Sequence, residues 1–155
     1  MPDIQDVYRK FGEASEAIQL LETEVGNLLL EYETISKDLL TVPNNSIAMS
    51  VLEKINKSTL GQLLKDLAKN TETLELIQGQ VDQALKARNE LVHSFFRKHN
   101  NRRNTDKGCD IMLKDLENLH QIIFAAYKSI LLCRGIDLDA LVREGFSLEK
   151  RWLPI

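Results

Sequence analysis

The sequence predicts an all-α fold, an up-and-down helical bundle of four to five main helices with a short C-terminal helix or tail. Three observations carry this. Apolar residues recur alternately three and four apart over most of the chain, the spacing of one helical face. Proline occurs only at Pro2, Pro43 and Pro154, so nothing between residues 44 and 153 forbids helix. No stretch shows the alternation and turn dipeptides of paired strands.

The first segment is the most regular. Ile4, Val7, Phe11, Ala14, Ile18, Leu21, Val25, Leu28, Tyr32, Ile35 and Leu39 make a heptad seam, which predicts a long helix packed along a partner helix. Gly12 and Gly26 interrupt it as bends or points of close packing. Thr41-Val42-Pro43-Asn44-Asn45 ends it. A broken helical region follows, from about Ser46 to Asn70, with Ser58 as the cap of a new start before Leu60, Leu63, Leu64 and Leu67. The third segment, about Thr71 to His99, keeps the seam at Leu74, Ile77, Val81, Ala84, Leu85, Arg88, Leu91 and Phe95. Asn100-Asn101-Arg102-Arg103-Asn104-Thr105 reads as a loop. A fourth helix, about Lys107 to Arg134, carries Met112, Leu116, Leu119, Ile123, Ala126, Ile130 and Cys133, with Gly135 as its C′ residue. Residues 137–155 form a C-terminal extension with one short helix, and Trp152-Leu153-Pro154-Ile155 is expected to dock on the bundle.

Size and composition narrow the class further. The chain has 155 residues, 43% hydrophobic and 28% charged, which fits a single domain over 1–155. No apolar run approaches the roughly 20 residues of a membrane span. The start Met1-Pro2-Asp3-Ile4-Gln5-Asp6 lacks the basic and apolar regions of a signal peptide. Cys109 and Cys133 are the only cysteines and have no CxxC spacing, so neither a disulfide framework nor a zinc site is expected. These features predict a soluble, cytoplasmic protein with no membrane partner. The net charge of −3 hides an uneven distribution. Residues 1–40 hold nine acids and three bases, whereas residues 86–103 hold six bases and one acid. A local basic cluster attracts phosphate even on an acidic protein.

One seam position breaks the pattern. With Arg88 at 0° on the helical wheel, Leu74, Ile77, Val81, Val92 and Phe95 fall within about 40° of it. Arg88 is therefore expected near the middle of an apolar stripe, where a guanidinium needs an anion or acceptors. Asn89 at about 100° and His93 at about 140° line one edge of that stripe. Arg97 follows one turn later. The edge thus offers a permanent cation, an amide and an imidazole titrating near neutrality.

Arg88-Asn89-Glu90-Leu91-Val92-His93 resembles the R-x4-6-H motif of the HEPN family, with its polar residue just after the Arg. Ala87 to Phe96 is similar to that stretch in several branches. The resemblance implies a helical bundle and a homodimer whose two motifs face each other across a cleft. It also implies metal-independent RNA cleavage, often by toxins of toxin–antitoxin systems or phage-defence effectors, so an antitoxin protein is an expected partner. Some members are instead inactive or bind nucleotides. Residue types agree with the chemistry: His93 serves as general base or acid, Arg88 stabilises the phosphorane oxygens, and Asn89 positions phosphate or imidazole. One motif supplies one histidine, so a two-fold dimer completes the acid–base pair. Arg97, Lys98, Arg102 and Arg103 are the expected RNA-backbone contacts, and no cofactor or metal is expected.

Two rivals belong to other classes. A non-catalytic interaction or nucleotide-binding bundle would make Arg88 a core ion pair and His93 an exposed helical residue. A carboxylate-bridged di-metal bundle would use Glu90-Leu91-Val92-His93 and Glu117-Asn118-Leu119-His120. Helical phase opposes it, because Glu90 and Glu117 lie about 200° and 140° from their seams. His99 and His120 receive no role, and the cysteines read as small core residues.

Overall fold

The computed structural model of the protein describes residues 1–69 and 73–145, and every regular element among them is helical. The chain runs through α1 (Ile4–Ser36), α2 (Asn45–Lys57), α3 (Leu60–Ala68), α4 (Thr73–His93) and a single turn α5 (Phe95–Lys98). A 3₁₀ turn over Arg102–Asn104, then α6 (Asp106–Cys133) and α7 (Leu138–Arg143) complete it. The expected docking of Trp152–Ile155 lies outside the described residues.

Helix α1 begins at a reciprocal cap. The Asp3 carboxylate accepts from the Asp6 amide at 3.1 Å while the Asp6 side chain accepts from the Asp3 amide at 3.0 Å. Its seam is buried from Val7 to Leu29, chiefly against Met112, Leu116, Leu119, Ile123, Ala126 and Ile130 of α6, so the partner helix that the seam called for is α6. The seam stops sooner than the periodicity suggests: Ile35 is 64% exposed and the helix ends at Ser36. Past Tyr32 the neighbour is α2, which lies on the side of Glu33 and Lys37 and leaves Ile35 uncovered.

A polar clamp sets the register of this pair. Lys10 is buried, and its Nζ donates to His120 Nδ1 at 3.0 Å and pairs with Glu117 Oε2 at 2.6 Å and Glu13 Oε2 at 3.6 Å. A buried ammonium persists only when anions and acceptors replace its water.

Two boundaries differ from expectation. Thr59 rather than Ser58 caps α3, its hydroxyl accepting from the Gln62 amide, while Ser58 closes α2. Gly26 is a point of close packing, one of its two expected readings, since a Cβ there would lie 3.1 Å from Ile55 Cγ2 of α2. The third segment does not run unbroken to His99: Ser94 leaves the helix at φ −137°, ψ −9°. Tertiary contacts hold that break. Phe95 and Phe96 both reach Phe11 of α1, at 5.9 and 5.0 Å between ring centroids, and His99 closes onto Asp115 of α6.

The loop expected at 100–105 is tightened into the 3₁₀ turn, which rests on the first turn of α6. Gly108 makes this contact possible, because a Cβ there would stand 1.9 Å from the Arg102 carbonyl oxygen. At the far end of α6, Gly135 takes φ +80°. Its amide donates to the Leu132 carbonyl and the Ile136 amide to the Leu131 carbonyl, both at 2.9 Å. That is the helix ending expected from the sequence.

Candidate active site at the end of helix α4

The last two turns of α4 carry the motif. Among the described side chains of α4 the buried ones are Val81, Ala84, Ala87 and Leu91, so the stripe they form is centred about 40° from where the sequence placed it. Two expectations change. Arg88 sits at the rim of the stripe, its side chain 23% exposed, and Val92 is 51% exposed instead of buried. The reason is the neighbour: α4 packs mainly on α6 and only lightly on α1, so the face toward α6 is the one buried.

From the rim, Arg88 reaches both motif partners. Its Nη1 donates to Asn89 Oδ1 at 3.1 Å and faces His93 Nε2 at 3.4 Å. A guanidinium has no acceptor, so His93 Nε2 is the unprotonated nitrogen here and the ring proton belongs on Nδ1. Arg88 Nε, buried, meets Glu22 Oε1 of α1 at 3.5 Å. Arg88, Asn89 and His93 therefore form one cluster, with Asn89 and His93 exposed. Glu22 is a member the sequence did not reveal, because the contact joins helices far apart in the chain.

Beside the cluster lies a second network that fixes the Ser94 break. His99 is buried at 1% exposure. Its Nε2 lies 2.7 Å from Asp115 Oδ2 and its Nδ1 lies 2.9 Å from Arg102 Nη1. Since Arg102 only donates, His99 accepts at Nδ1 and donates from Nε2 to the carboxylate. Lys98 joins the same oxygen at 2.9 Å and Glu90 Oε1 at 2.6 Å. Burial pushes the Asp115 carboxyl upward, but the hydrogen bonds from Lys98 and His99 prevail and hold it below its ordinary range. The Asp115 and Glu90 hydrogen bonds raise Lys98 above the usual lysine value despite desolvation.

The four expected RNA contacts are thus not equivalent. Lys98 is matched by two carboxylates, which offset its charge toward a phosphate. Arg97, Arg102 and Arg103 are exposed and have no carboxylate at ion-pair distance among the described residues.

Other reactive side chains are structural. Burial raises the Cys109 and Cys133 thiols above their ordinary value, which leaves them protonated and poor nucleophiles. Glu90 faces Lys98 and Glu117 faces Lys10, so neither Glu-x-x-His carboxylate points toward the other. Among the described residues no three His, Cys, Asp or Glu side chains converge as metal donors, and no helix is long and apolar enough to cross a membrane. Comparison with protein-family models, with curated proteins and with solved structures finds no match for this chain.

Proposed function

We propose that the protein is a metal-independent endoribonuclease of the HEPN type, acting at a composite site where two copies of α4 meet. The carrying observation is the Arg88 guanidinium, aimed at Asn89 Oδ1 and His93 Nε2 on an exposed helix end. In this reading an incoming phosphate draws Arg88 from the long 3.4 Å contact and frees the His93 Nε2 lone pair. His93 Nε2 then takes the 2′-OH proton as that oxygen attacks phosphorus. The P–O5′ bond breaks, and the protonated imidazole of the second copy donates to the departing O5′. Arg88 stabilises the equatorial oxygens through charge-assisted hydrogen bonds. The products are a 2′,3′-cyclic phosphate and a 5′-hydroxyl.

Cleavage of single-stranded RNA is therefore expected to survive excess EDTA and to leave cyclic phosphate ends, identified by mass spectrometry. His93→Ala should slow it by about 10²–10⁴-fold, the usual contribution of a general acid or base, with most RNA affinity retained. Wild-type rates in that variant would remove His93 from the chemistry. Loss of activity in EDTA with recovery on adding manganese or iron would favour the di-metal reading.

Val92 supports the dimer. It is 51% exposed on the outer side of α4, between Arg88 and His93 in the sequence, where a two-fold contact between copies of α4 would cover it. Val92→Glu places like charges across such a contact. Sedimentation should then show monomers, and cleavage should fall with the dimer population; a monomer cleaving at the parental rate would refute the composite site.

A further inference from the structure

Tyr8 of α1 is 40% exposed, an aromatic ring on the surface at the same end of the bundle as the basic turn. One side of it leans on Phe96, with centroids 5.9 Å apart and planes at 56°, and Phe96 packs in turn on Phe11 at 5.0 Å. Its hydroxyl accepts from Arg103 Nη2 at 2.7 Å. That bond pins a guanidinium beside the ring while leaving its other donors available. Arg97, Arg102, Arg103 and Lys107 are all exposed there, with no carboxylate at ion-pair distance among the described residues.

This end connects with the candidate active site along one seam. Tyr8 meets Phe96, Phe11 meets Phe95, and Glu22 meets Arg88, so α1 runs antiparallel to α4 and α5. Tyr8 and Glu22 differ by only about 40° in helical phase and lie about 21 Å apart along α1. His93 comes three residues before Phe96 and falls between the two ends. Asp3, Asp6 and Asp106 lie near enough to this end to act on the Cys109 thiol. Asp3 and Asp6 are occupied by their reciprocal cap, and Asp6 by Arg9 as well.

We infer that Tyr8 is a base-stacking platform and Arg103 its phosphate contact, so that this end of the bundle holds an unpaired nucleotide of single-stranded RNA flanking the cleaved bond. An aromatic face beside a fixed cation is the chemistry that binds unpaired bases without reading their sequence. A duplex keeps its bases stacked on one another and offers none to Tyr8. The position of this subsite relative to cleavage rests on the proposed nuclease reading; its binding does not.

The test uses the full chain and a fully 2′-O-methylated single-stranded oligonucleotide, which lacks the nucleophile, compared with the same strand in a duplex. Fluorescence anisotropy should show the single strand bound more tightly. Tyr8→Leu keeps an apolar contact with Phe96 and should weaken that binding about 10-fold, whereas Tyr8→Phe keeps the ring, releases only the Arg103 bond and should weaken it by less. Arg103→Gln should lower the salt dependence of binding by about one phosphate contact. Equal binding by Tyr8→Leu and wild type at matched melting temperatures, duplex bound as tightly as single strand, or no binding at all would each overturn the subsite. Parallel cleavage of unmodified RNA separates the two ideas. Tyr8-dependent binding without cleavage would uphold the subsite and overturn the nuclease, and cleavage with Tyr8-independent binding would do the reverse.

Discussion

Arg88→Met should abolish RNA cleavage while leaving the protein folded. Methionine keeps much of the stem's volume and apolar contact but removes every donor, so the phosphorane oxygens lose their cation. Removal of one preorganised donor of this kind costs about 10²–10³-fold in rate. The stability arm is decided by what Arg88 leaves behind. Its anionic partner Glu22 is one third exposed, and their closest contact is 3.5 Å. Glu22 therefore returns to water when the pair is broken, and the expected change is within about 1 kcal/mol. A structural ion pair in a dry core would behave otherwise, losing about 3–5 kcal/mol by stranding a carboxylate. Thermal unfolding at fixed protein concentration, alongside the cleavage assay, reads both arms. A collapse in melting temperature with cleavage preserved in the surviving folded fraction would make Arg88 a structural residue.

Asp115→Ala should give the largest loss of stability of any polar substitution around the site. The carboxylate accepts from buried His99 Nε2 and from Lys98. Alanine leaves the imidazole donor facing a void, which costs about 1–3 kcal/mol for an unsatisfied buried group. Lys98 is nearly half exposed and keeps Glu90, so it contributes little to that loss. The same interaction predicts an acid limb. Asp115 has a folded pKa below its ordinary value of 3.8, so the unfolded chain binds this proton more readily than the folded one. Its stabilisation is present above the unfolded value and is lost as pH falls below 3.8 through the folded one. Wild type should therefore lose stability faster than Asp115→Ala on acidification below that value. Parallel acid-unfolding curves would show that the pair contributes nothing.

How much of this was legible in the sequence depends on the range of the interaction involved. Local spacing determined the helical class, the long α1 and α6 seams and the end of α6 at Gly135, because these follow from a 3.6-residue period and from backbone strain at single residues. It also placed Arg88, Asn89 and His93 together, since Asn89 and His93 stand one helical turn apart and the long Arg88 side chain reaches both. What the periodicity could not decide was which part of the α4 face turns inward. That depends on where α6 lies, and it moved Arg88 from the middle of the stripe to its rim and brought Val92 to the surface. The same limit hid Glu22, Tyr8 and the pairing of Asp115 with His99, each of which joins residues at least 16 positions apart in the chain. Ser94 illustrates the cause: nothing in its neighbours breaks a helix, and the break is held by Phe11 on α1 and Asp115 on α6. Spacing within one element is set by backbone geometry, whereas the partner of a side chain across elements is set by how the helices pack, and only the folded bundle contains that information.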